Sequence, residues 1–91
     1  MTASDLKQME TVLKALANRR RLAILRLLKR EGEQSVTEIA SVIKISIKAV
    51  SKHLAKLRAA GLVGFEQRSA MFYYSLRNSD SQVAKRITNL L

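Results

Sequence analysis

The sequence predicts a mainly α-helical domain that also contains a small β-hairpin. Through most of the first 60 positions apolar residues recur three and four apart, which is the period of an amphipathic helix. Beyond Gly61 this pattern gives way to two short segments rich in β-branched and aromatic residues, LVGFEQR and MFYYSL, and a last helical pattern follows from position 79. The predicted order of elements is therefore α-α-α-α-β-β-α.

Composition limits what such a domain can be and what it can bind. With 91 residues the chain makes one domain, 1–91, whose core buries about two thirds of the surface of the unfolded chain. The absence of cysteine excludes a disulfide scaffold and thiolate metal sites. A formal charge of +10, from 17 Lys+Arg against 7 Asp+Glu, favours nucleic acid or an anionic surface as the partner.

Membrane insertion is not expected. The longest apolar runs are a few residues, far below the roughly 20 that a membrane-spanning helix needs. The first residues also lack the charged-then-apolar pattern of a signal peptide. We therefore expect a cytoplasmic protein with no membrane partner.

The first and last predicted helices have narrow apolar faces. The first starts at Ser4 and Asp5, and the last starts at a capping box formed by Ser79 and Gln82 and runs for about eleven residues. Their apolar residues are Leu6, Met9, Val12, Leu13 and Leu16 in the first helix and Val83, Ile87 and Leu90 in the last. So short a last helix is marginal alone in water, and we expect it to pack against the first helix of its own or a partner chain.

The second helix, RRRLAILRLLKRE, is capped by Asn18 and ends near Gly32. Its apolar residues cover more than half of its circumference, which predicts a central position in the domain. Three arginines occupy its first turn, where the helix dipole disfavours cations. Two explanations are open: Arg21 pairs with an internal carboxylate such as Glu10 or Glu38, or Arg19 or Arg20 contacts phosphate.

A third and a fourth helix follow each other closely. Ser35 and Glu38 form a capping box for a short helix, whose apolar face includes Ile39 and the small residue Ala40. After Lys44 and Ile45 the next helix begins, so only about three residues separate the two. This is the helix-turn-helix arrangement, in which the first helix braces the second and the second enters a groove.

The fourth helix spans Ser46 to Gly61 and contains no carboxylate. Ser46 can cap its start and Gly61 can adopt the left-handed conformation that ends it. Helical spacing puts Ile47, Val50, Leu54 and Leu57 on one side, and Lys48, Lys52 and Lys56, here called the lysine row, on the other. For an isolated helix, a solvated lysine face and a site for an anionic partner explain this row equally well. The preceding helix favours the anionic partner.

The two strand segments predict a β-hairpin directly after this helix, which is the position of a wing. They are separated by Ser69 and Ala70, without the Asn-Gly signature of a tight two-residue turn, so the strand boundary is expected to shift by up to two residues and the loop to be somewhat longer. Arg68 lies at the predicted tip, where an arginine can reach the adjacent minor groove of DNA. Tyr73 and Tyr74 point to opposite faces, so one is expected in the core and the other on the wing surface.

From about Leu13 to Leu76 the chain resembles the ArsR-type winged-helix repressors. The segments that carry the resemblance are LKALANRRRLAILRLL, SVTEIASVIKIS, AVSKHLAKLRAAGLV and FYYSL. It implies a cytoplasmic homodimer, joined through helices within 1–17 and 79–91, that binds double-stranded DNA over an imperfect palindrome. The recognition helices, 46–60, would enter successive major grooves, with the wings, 63–76, on adjacent minor grooves.

The resemblance also implies roles for individual residues. The DNA-binding positions are Ser46, Lys48, Ala49, Ser51, Lys52 and His53 on the recognition helix and Arg68 on the wing, and helix geometry adds Lys56 as a phosphate contact. The implied dimer interface consists of Leu6, Met9, Val12, Leu13, Val83, Ile87 and Leu90. His53 falls close to the apolar face, so it either contacts a base or braces the helix.

Several positions depart from the family pattern. Many members sense metals through cysteines on the third helix or Asp/His/Glu sets on the last, but here these helices contain VTEIASVI and DSQVAKRITNLL. His53 is the only histidine, so no metal and no other cofactor is expected. Lys44 stands where the family usually has glycine, and Ile47 and Lys48 where polar residues and proline are common, which predicts an unusual operator preference.

Three other functions compete with DNA binding as explanations of the sequence. Seven scattered acids and one histidine supply neither a nucleophile with an oriented base nor a carboxylate pair, so the chain is predicted not to be an enzyme. The main alternative is a winged-helix module whose basic face meets an acidic protein or an anionic surface. A sensor that holds a small ligand between the outer helices is a further possibility, but no residue set marks such a pocket.

Overall fold

The computed structural model describes residues 1–91 and contains five helices and three strands. In chain order they are α1 (Ala3–Leu16), α2 (Arg19–Glu31), β1 (Gln34–Ser35), α3 (Val36–Ile43), α4 (Ile47–Ala59), β2 (Val63–Arg68), β3 (Met71–Leu76) and α5 (Gln82–Leu90). The predicted order of helices and hairpin is confirmed. The sequence did not predict β1, because two residues are too short to show an alternating pattern.

The three strands form one antiparallel sheet in the order β1-β3-β2. In the hairpin Val63 pairs with Leu76 at the base and Arg68 with Met71 at the tip, so the turn consists of Ser69 and Ala70 alone. Ser69 adopts a positive φ of 56°, the backbone conformation for which such a tight turn usually has glycine or asparagine. The strands end at the tip where the sequence placed them, and the loop is limited to Ser69 and Ala70 instead of being longer as expected.

The hydrophobic core lies between the helices and the base of the hairpin. Its fourteen buried residues are Val12, Ala15, Leu16, Ile24, Leu25, Leu28, Ile39, Val50, Leu54, Leu57, Ala60, Leu62, Val63 and Ala84. Tyr74 packs against this core, whereas Tyr73 lies beneath the guanidinium of Arg68, 4.2 Å from ring centre to Cζ. The prediction that the two tyrosines divide between core and wing surface is confirmed.

Two helix starts differ from the prediction. The N-cap of α1 is Thr2 and not Ser4: the Thr2 hydroxyl accepts from the Asp5 amide at 3.1 Å, and the Asp5 carboxylate accepts from the Thr2 amide at 2.8 Å. The N-cap of α5 is Ser81 and not Ser79, and α5 is nine residues long. Ser79 instead accepts a hydrogen bond from the Ser81 amide at 3.1 Å, so two serines two residues apart compete for one cap and the second takes it.

The other predicted helix ends are confirmed. Asn18 accepts from the amides of Arg20 and Arg21 at 3.0 and 3.1 Å and caps α2. Glu38 accepts from the Ser35 amide at 2.9 Å in the capping box of α3. Gly32 and Gly61, with φ of 75° and 76°, end α2 and α4 in a conformation that residues with a side chain rarely adopt.

Arg21 pairs with neither Glu10 nor Glu38, so the predicted internal ion pair is wrong. Its side chain is buried and donates from Nε to the Ala15 carbonyl at 2.6 Å and from Nη2 to the Lys14 carbonyl at 3.0 Å. These carbonyls belong to the last turn of α1, where unpaired C=O groups and the negative end of the helix dipole favour a cation. Arg21 therefore ties the end of α1 to the start of α2.

None of the helices combines the length and the apolar character that crossing a membrane requires.

Candidate nucleic-acid interface

Helix α4 lies at the surface with one side in the core. Val50, Leu54 and Leu57 are fully buried, and the lysine row on the other side is exposed. The Ser46 hydroxyl caps the helix by accepting from the Ala49 amide at 3.1 Å. Ile47 departs from the prediction, since 53% of its surface is exposed. It is the first residue of α4 and projects beyond the core that the later turns cover.

Helix α3 packs against α4 to form the helix-turn-helix pair. Ile39 is fully buried and Ala40 packs against the same core, so α3 and α4 cross closely. Lys44 takes the left-handed conformation, with φ 63° and ψ 46°, at the C-cap of α3. The turn thus adopts the backbone conformation that glycine accommodates best, although a lysine occupies it. Helix α3 therefore packs against the buried side of α4 and leaves the lysine row exposed.

The positive charges on α4 have no acidic partner within the protein. The protein contains two ion pairs, and both belong to Arg68, so no lysine of the lysine row takes part in one. The remaining predicted contact positions on this helix are Ser46 and Ser51, which are exposed, and Ala49, which is half-buried. One face of α4 therefore combines small polar side chains with uncompensated ammonium groups.

His53 is half-buried at the side of α4 that faces α2. Its Nδ1 lies 3.5 Å from Nη1 of Arg21, the same arginine that binds the end of α1. Partial burial lowers the pKa of His53, and the charges of Arg21, Arg20 and Lys56 lower this pKa further. The lowered pKa favours the neutral imidazole, in which an unprotonated Nδ1 can accept a hydrogen bond from Arg21.

Arg68 lies next to the tip of the hairpin, as predicted, but its guanidinium is engaged within the protein. Nη2 donates to Glu33 in the connection between α2 and β1, and Nη1 lies 3.8 Å from Glu66. The hydrogen bond to Glu33 and the nearby carboxylates raise the pKa of Arg68. The sequence did not predict this pairing, because Glu33 is 35 residues away along the chain and reaches Arg68 only through the pairing of β1 with β3.

The other face of the wing carries an aromatic pair that contacts α4. The rings of Phe65 and Phe72 meet edge to face at 5.3 Å, and Cζ of Arg58 lies 4.4 Å from the centre of the Phe65 ring. Arg58 follows Ser51 by seven residues, two helical turns, and so lies on the same side of α4. The spacing does not show that this side of α4 faces the wing, which follows from the contact between Arg58 and Phe65.

The predicted dimer residues fall into three groups. Leu6, Leu13 and Leu90 are exposed, and Met9, Val83 and Ile87 are half-buried, so all six can contact a partner. Val12 cannot, because it is fully buried within the protomer; this prediction is wrong. Val12 lies one position before Leu13, and a rotation of 100° turns it from the outer side of α1 into the core.

No three His, Cys, Asp or Glu side chains come together where they could hold a metal ion.

The family model of the bacterial regulatory proteins of the arsR family matches residues 18–64, from the cap of α2 into β2. The chain belongs to the ArsR family. It is a family of regulatory proteins and not of enzymes, so the prediction that the chain is not an enzyme is confirmed. The segment matched contains the whole helix-turn-helix pair and the start of the wing.

A known transcriptional regulator resembles the chain in sequence and in structure. The transcriptional activator HlyU of Vibrio cholerae is 42% identical over 69 residues, which are 76% of this chain and 63% of HlyU. The structure of HlyU from Vibrio cholerae N16961 superimposes with a TM-score of 0.82 at 36% identity, over 98% of this chain and 92% of that one. The chain spans between 34% and 63% of the length of the first curated relatives that it matches.

Two further structures show the same fold. The homodimeric winged helix-turn-helix DNA-binding domain Mb0332 of Mycobacterium bovis has a TM-score of 0.82 at 35% identity, over 97% of this chain and 78% of that one. The transcriptional repressor PagR of Bacillus anthracis has a TM-score of 0.80 at 27% identity, over 99% and 100% of the two chains. The predicted fold class, winged helix-turn-helix, is confirmed.

Proposed function

We propose that this ArsR-family chain is a homodimeric, sequence-specific regulator of transcription that binds double-stranded DNA over an imperfect palindrome. The observation that carries the proposal is the lysine row, which is exposed, without acidic partners, and placed on the second helix of a helix-turn-helix pair. A helix in this position enters the major groove and contacts base edges with its N-terminal residues.

Affinity and specificity have different sources in this proposal. Each lysine or arginine that neutralises a phosphate releases a counterion, and this release favours binding to any sequence. Lys56, in the last turn of α4, serves this purpose. Base edges are contacted by Ser46, Lys48, Ala49, Ser51 and Lys52, where hydrogen bonds and apolar contacts distinguish base pairs. His53 braces α4 through Arg21.

The homodimer rests on the exposed apolar surface of α1 and α5. Leu6, Leu13 and Leu90 expose side chains that a partner would remove from water. The related domain Mb0332 of Mycobacterium bovis is described as homodimeric and DNA-binding. A two-fold dimer presents two recognition helices about 34–36 Å apart, which matches successive major grooves on one side of the duplex.

Repression is the simplest action of such a dimer. Among the relatives, HlyU is named an activator and PagR a repressor. A protein that fills two major grooves excludes polymerase from the same DNA, so repression needs no surface beyond those of α4, the wing and the dimer. We also propose that DNA affinity is independent of metals, because the chain has no cysteine and a single histidine.

The test combines selection, hydrodynamics and titration. Duplexes bound from a random pool should contain two inverted half-sites about one helical turn apart, and gel filtration should show a dimer. Binding to the selected duplex should fall steeply between two salt concentrations, and added Zn²⁺ should leave it unchanged. A monomer that binds no duplex even at low salt contradicts the proposal and supports an interaction module for acidic partners.

A further inference from the structure

Ile47 is an exposed apolar residue at the start of the recognition helix. Just over half of its surface, 53%, is open to solvent, and it is absent from the buried core and from the partly buried residues that pack against the core. Burial of an isoleucine side chain stabilises a fold, and at Ile47 much of that stabilisation is not used. The neighbouring residues Ser46, Lys48 and Ser51 are polar and exposed.

Five of the other exposed apolar side chains are accounted for by the structure or by the proposed dimer, whereas Met1, Val42 on α3 and Met71 in the hairpin are, like Ile47, exposed without such an explanation. Leu6, Leu13 and Leu90 lie on α1 and α5, away from the helix-turn-helix pair. Phe65 and Phe72 contact each other on the wing. Of these residues, Ile47 alone lies on α4, the helix that carries the lysine row.

We infer that Ile47 recognises the C5-methyl group of a thymine in each half-site of the operator. This inference rests on the proposed function, because it requires α4 to enter the major groove. The thymine methyl is the apolar group that the major groove presents among hydrogen-bond donors and acceptors, and an aliphatic side chain cannot bind the polar groups. An isoleucine at the N-terminus of α4 therefore favours thymine, because the contact removes both the isoleucine side chain and the thymine methyl group from water.

The location of Ile47 relative to the hydrogen-bonding residues supports this role. Ile47 and Ser51 are four residues apart, so they share one flank of α4, whereas Lys48 and Lys52 follow the adjacent flank. Hydrogen bonds from the lysines and an apolar contact from Ile47 can thus be made to neighbouring base pairs. We expect the thymine to lie beside the base that Lys48 or Lys52 contacts.

The test uses the full chain and a duplex selected from a random pool. Each thymine of one half-site is replaced in turn by deoxyuridine, which removes only the methyl group and keeps every hydrogen-bonding group. Dissociation constants are measured for the wild type and for Ile47→Ala, Ile47→Val and Val42→Ala. Val42 is the matched control, because it is 55% exposed and β-branched but lies on α3.

For the wild type, one deoxyuridine should weaken binding by about fourfold per half-site, the factor expected for one buried methyl-sized group. Ile47→Ala should bind thymine and deoxyuridine duplexes alike, while Ile47→Val and Val42→Ala should keep the preference. Since Ile47 is exposed, these variants should all remain folded, which far-ultraviolet circular dichroism can check.

Two results would overturn the inference while leaving the proposed function intact. One is a selected operator in which no thymine shows the methyl effect; the other is a methyl effect that Ile47→Ala retains in full. Failure to select any duplex would instead contradict the proposed function itself, so the two failures are distinguishable.

Discussion

Arg68, the last residue of β2, donates a hydrogen bond from Nη2 to Oε1 of Glu33 in the connection between α2 and β1. An arginine at the wing tip that is paired in this way can contact DNA phosphate only after it leaves its carboxylate. Glu33 therefore competes with DNA for the same guanidinium. We expect Glu33→Gln to raise the affinity for duplex DNA of any sequence several-fold at low salt and to steepen the salt dependence by about one phosphate contact.

The control for this variant is Glu31→Gln, which removes the same charge from the last residue of α2, where Glu31 makes no ion pair. Both titrations use fluorescently labelled duplex at several salt concentrations. Equal gains in the two variants would mean that net charge alone is responsible. Adding Arg68→Ala to Glu33→Gln should cancel the extra gain.

Lys52 and Lys56 are one turn apart on α4, and replacing each by alanine should affect DNA binding in a different way. Lys52→Ala should relax base preference at one position of each half-site, where a good contact is worth about 1–3 kcal/mol. Lys56→Ala should weaken all sequences alike and lower the salt slope by about one unit. Competition between operator and random duplex measures both effects. The assignment of α4 as recognition helix is wrong if neither variant differs from the wild type.

Lys44 occupies a left-handed backbone position, with φ 63°, that favours glycine. The strain costs a residue with a side chain about 1–2 kcal/mol, and part of this is returned through the lower entropy of the unfolded chain. Lys44→Gly should therefore raise the free energy of unfolding by about 0.5–1 kcal/mol in urea titrations. Lys44→Ala keeps the strain and is the control; a similar gain in that variant would show that removal of the charge is the cause.

The lowered pKa of His53 predicts a dependence of stability on pH. The unfolded chain binds a proton at the ordinary pKa of 6.5, whereas the folded protein resists it because of burial and the charges of Arg21, Arg20 and Lys56. This contribution is complete above that value and is lost as the pH falls through it toward the lower pKa of the folded state. The carboxyls of Asp5 and Glu38 also have lowered pKa values, but they titrate at more acidic pH.

Urea titrations at about pH 7.5 and pH 5.5, on either side of the ordinary histidine pKa, measure this effect. The wild type should lose more stability between the two values than His53→Gln, which cannot be protonated. A larger loss in the variant would contradict the direction of the pKa shift.

Val12 and Leu13 are adjacent in sequence, but we expect Val12 to stabilise the core and Leu13 to contact the partner subunit. Val12 is 0% exposed, so Val12→Ala should lower the free energy of unfolding by about 2 kcal/mol through a core cavity. Leu13 is 46% exposed, so Leu13→Ser should leave the secondary structure intact and shift a dimer toward monomer in sedimentation velocity. A Leu13→Ser variant that remains a dimer would place the interface away from this side of α1.

Much of the fold could be predicted because its signals are local. Ser35 and Glu38 mark a helix start by their own spacing, and Gly61 marks a helix end by its conformation, so these boundaries agree with the structure. The caps Thr2 and Ser81 were not predicted because each lies two residues from a serine that fits the same pattern. Local sequence does not decide between two equivalent caps.

The candidate site was less predictable where tertiary contacts determine how side chains pair and how far they are buried. Glu33 is brought next to Arg68 by a strand of only two residues. Arg21 donates to backbone carbonyls of α1 and pairs with no carboxylate. The periodic pattern placed Ile47 on the buried side of α4, but the core does not extend to the first turn of that helix. The helical period of apolar residues shows on which side of a helix a residue lies. It does not show how far along that side the neighbouring elements cover the helix.

The position of Arg21 also affects how two subunits would share one operator. It fastens the last turn of α1 and touches His53 on α4, so the helix that would bear the partner and the helix that would bear the DNA contacts are braced by one side chain. A small tilt of one subunit against the other would then be passed directly to the angle at which α4 meets its groove. Tolerance for operators with an added or missing base pair between half-sites should be correspondingly narrow.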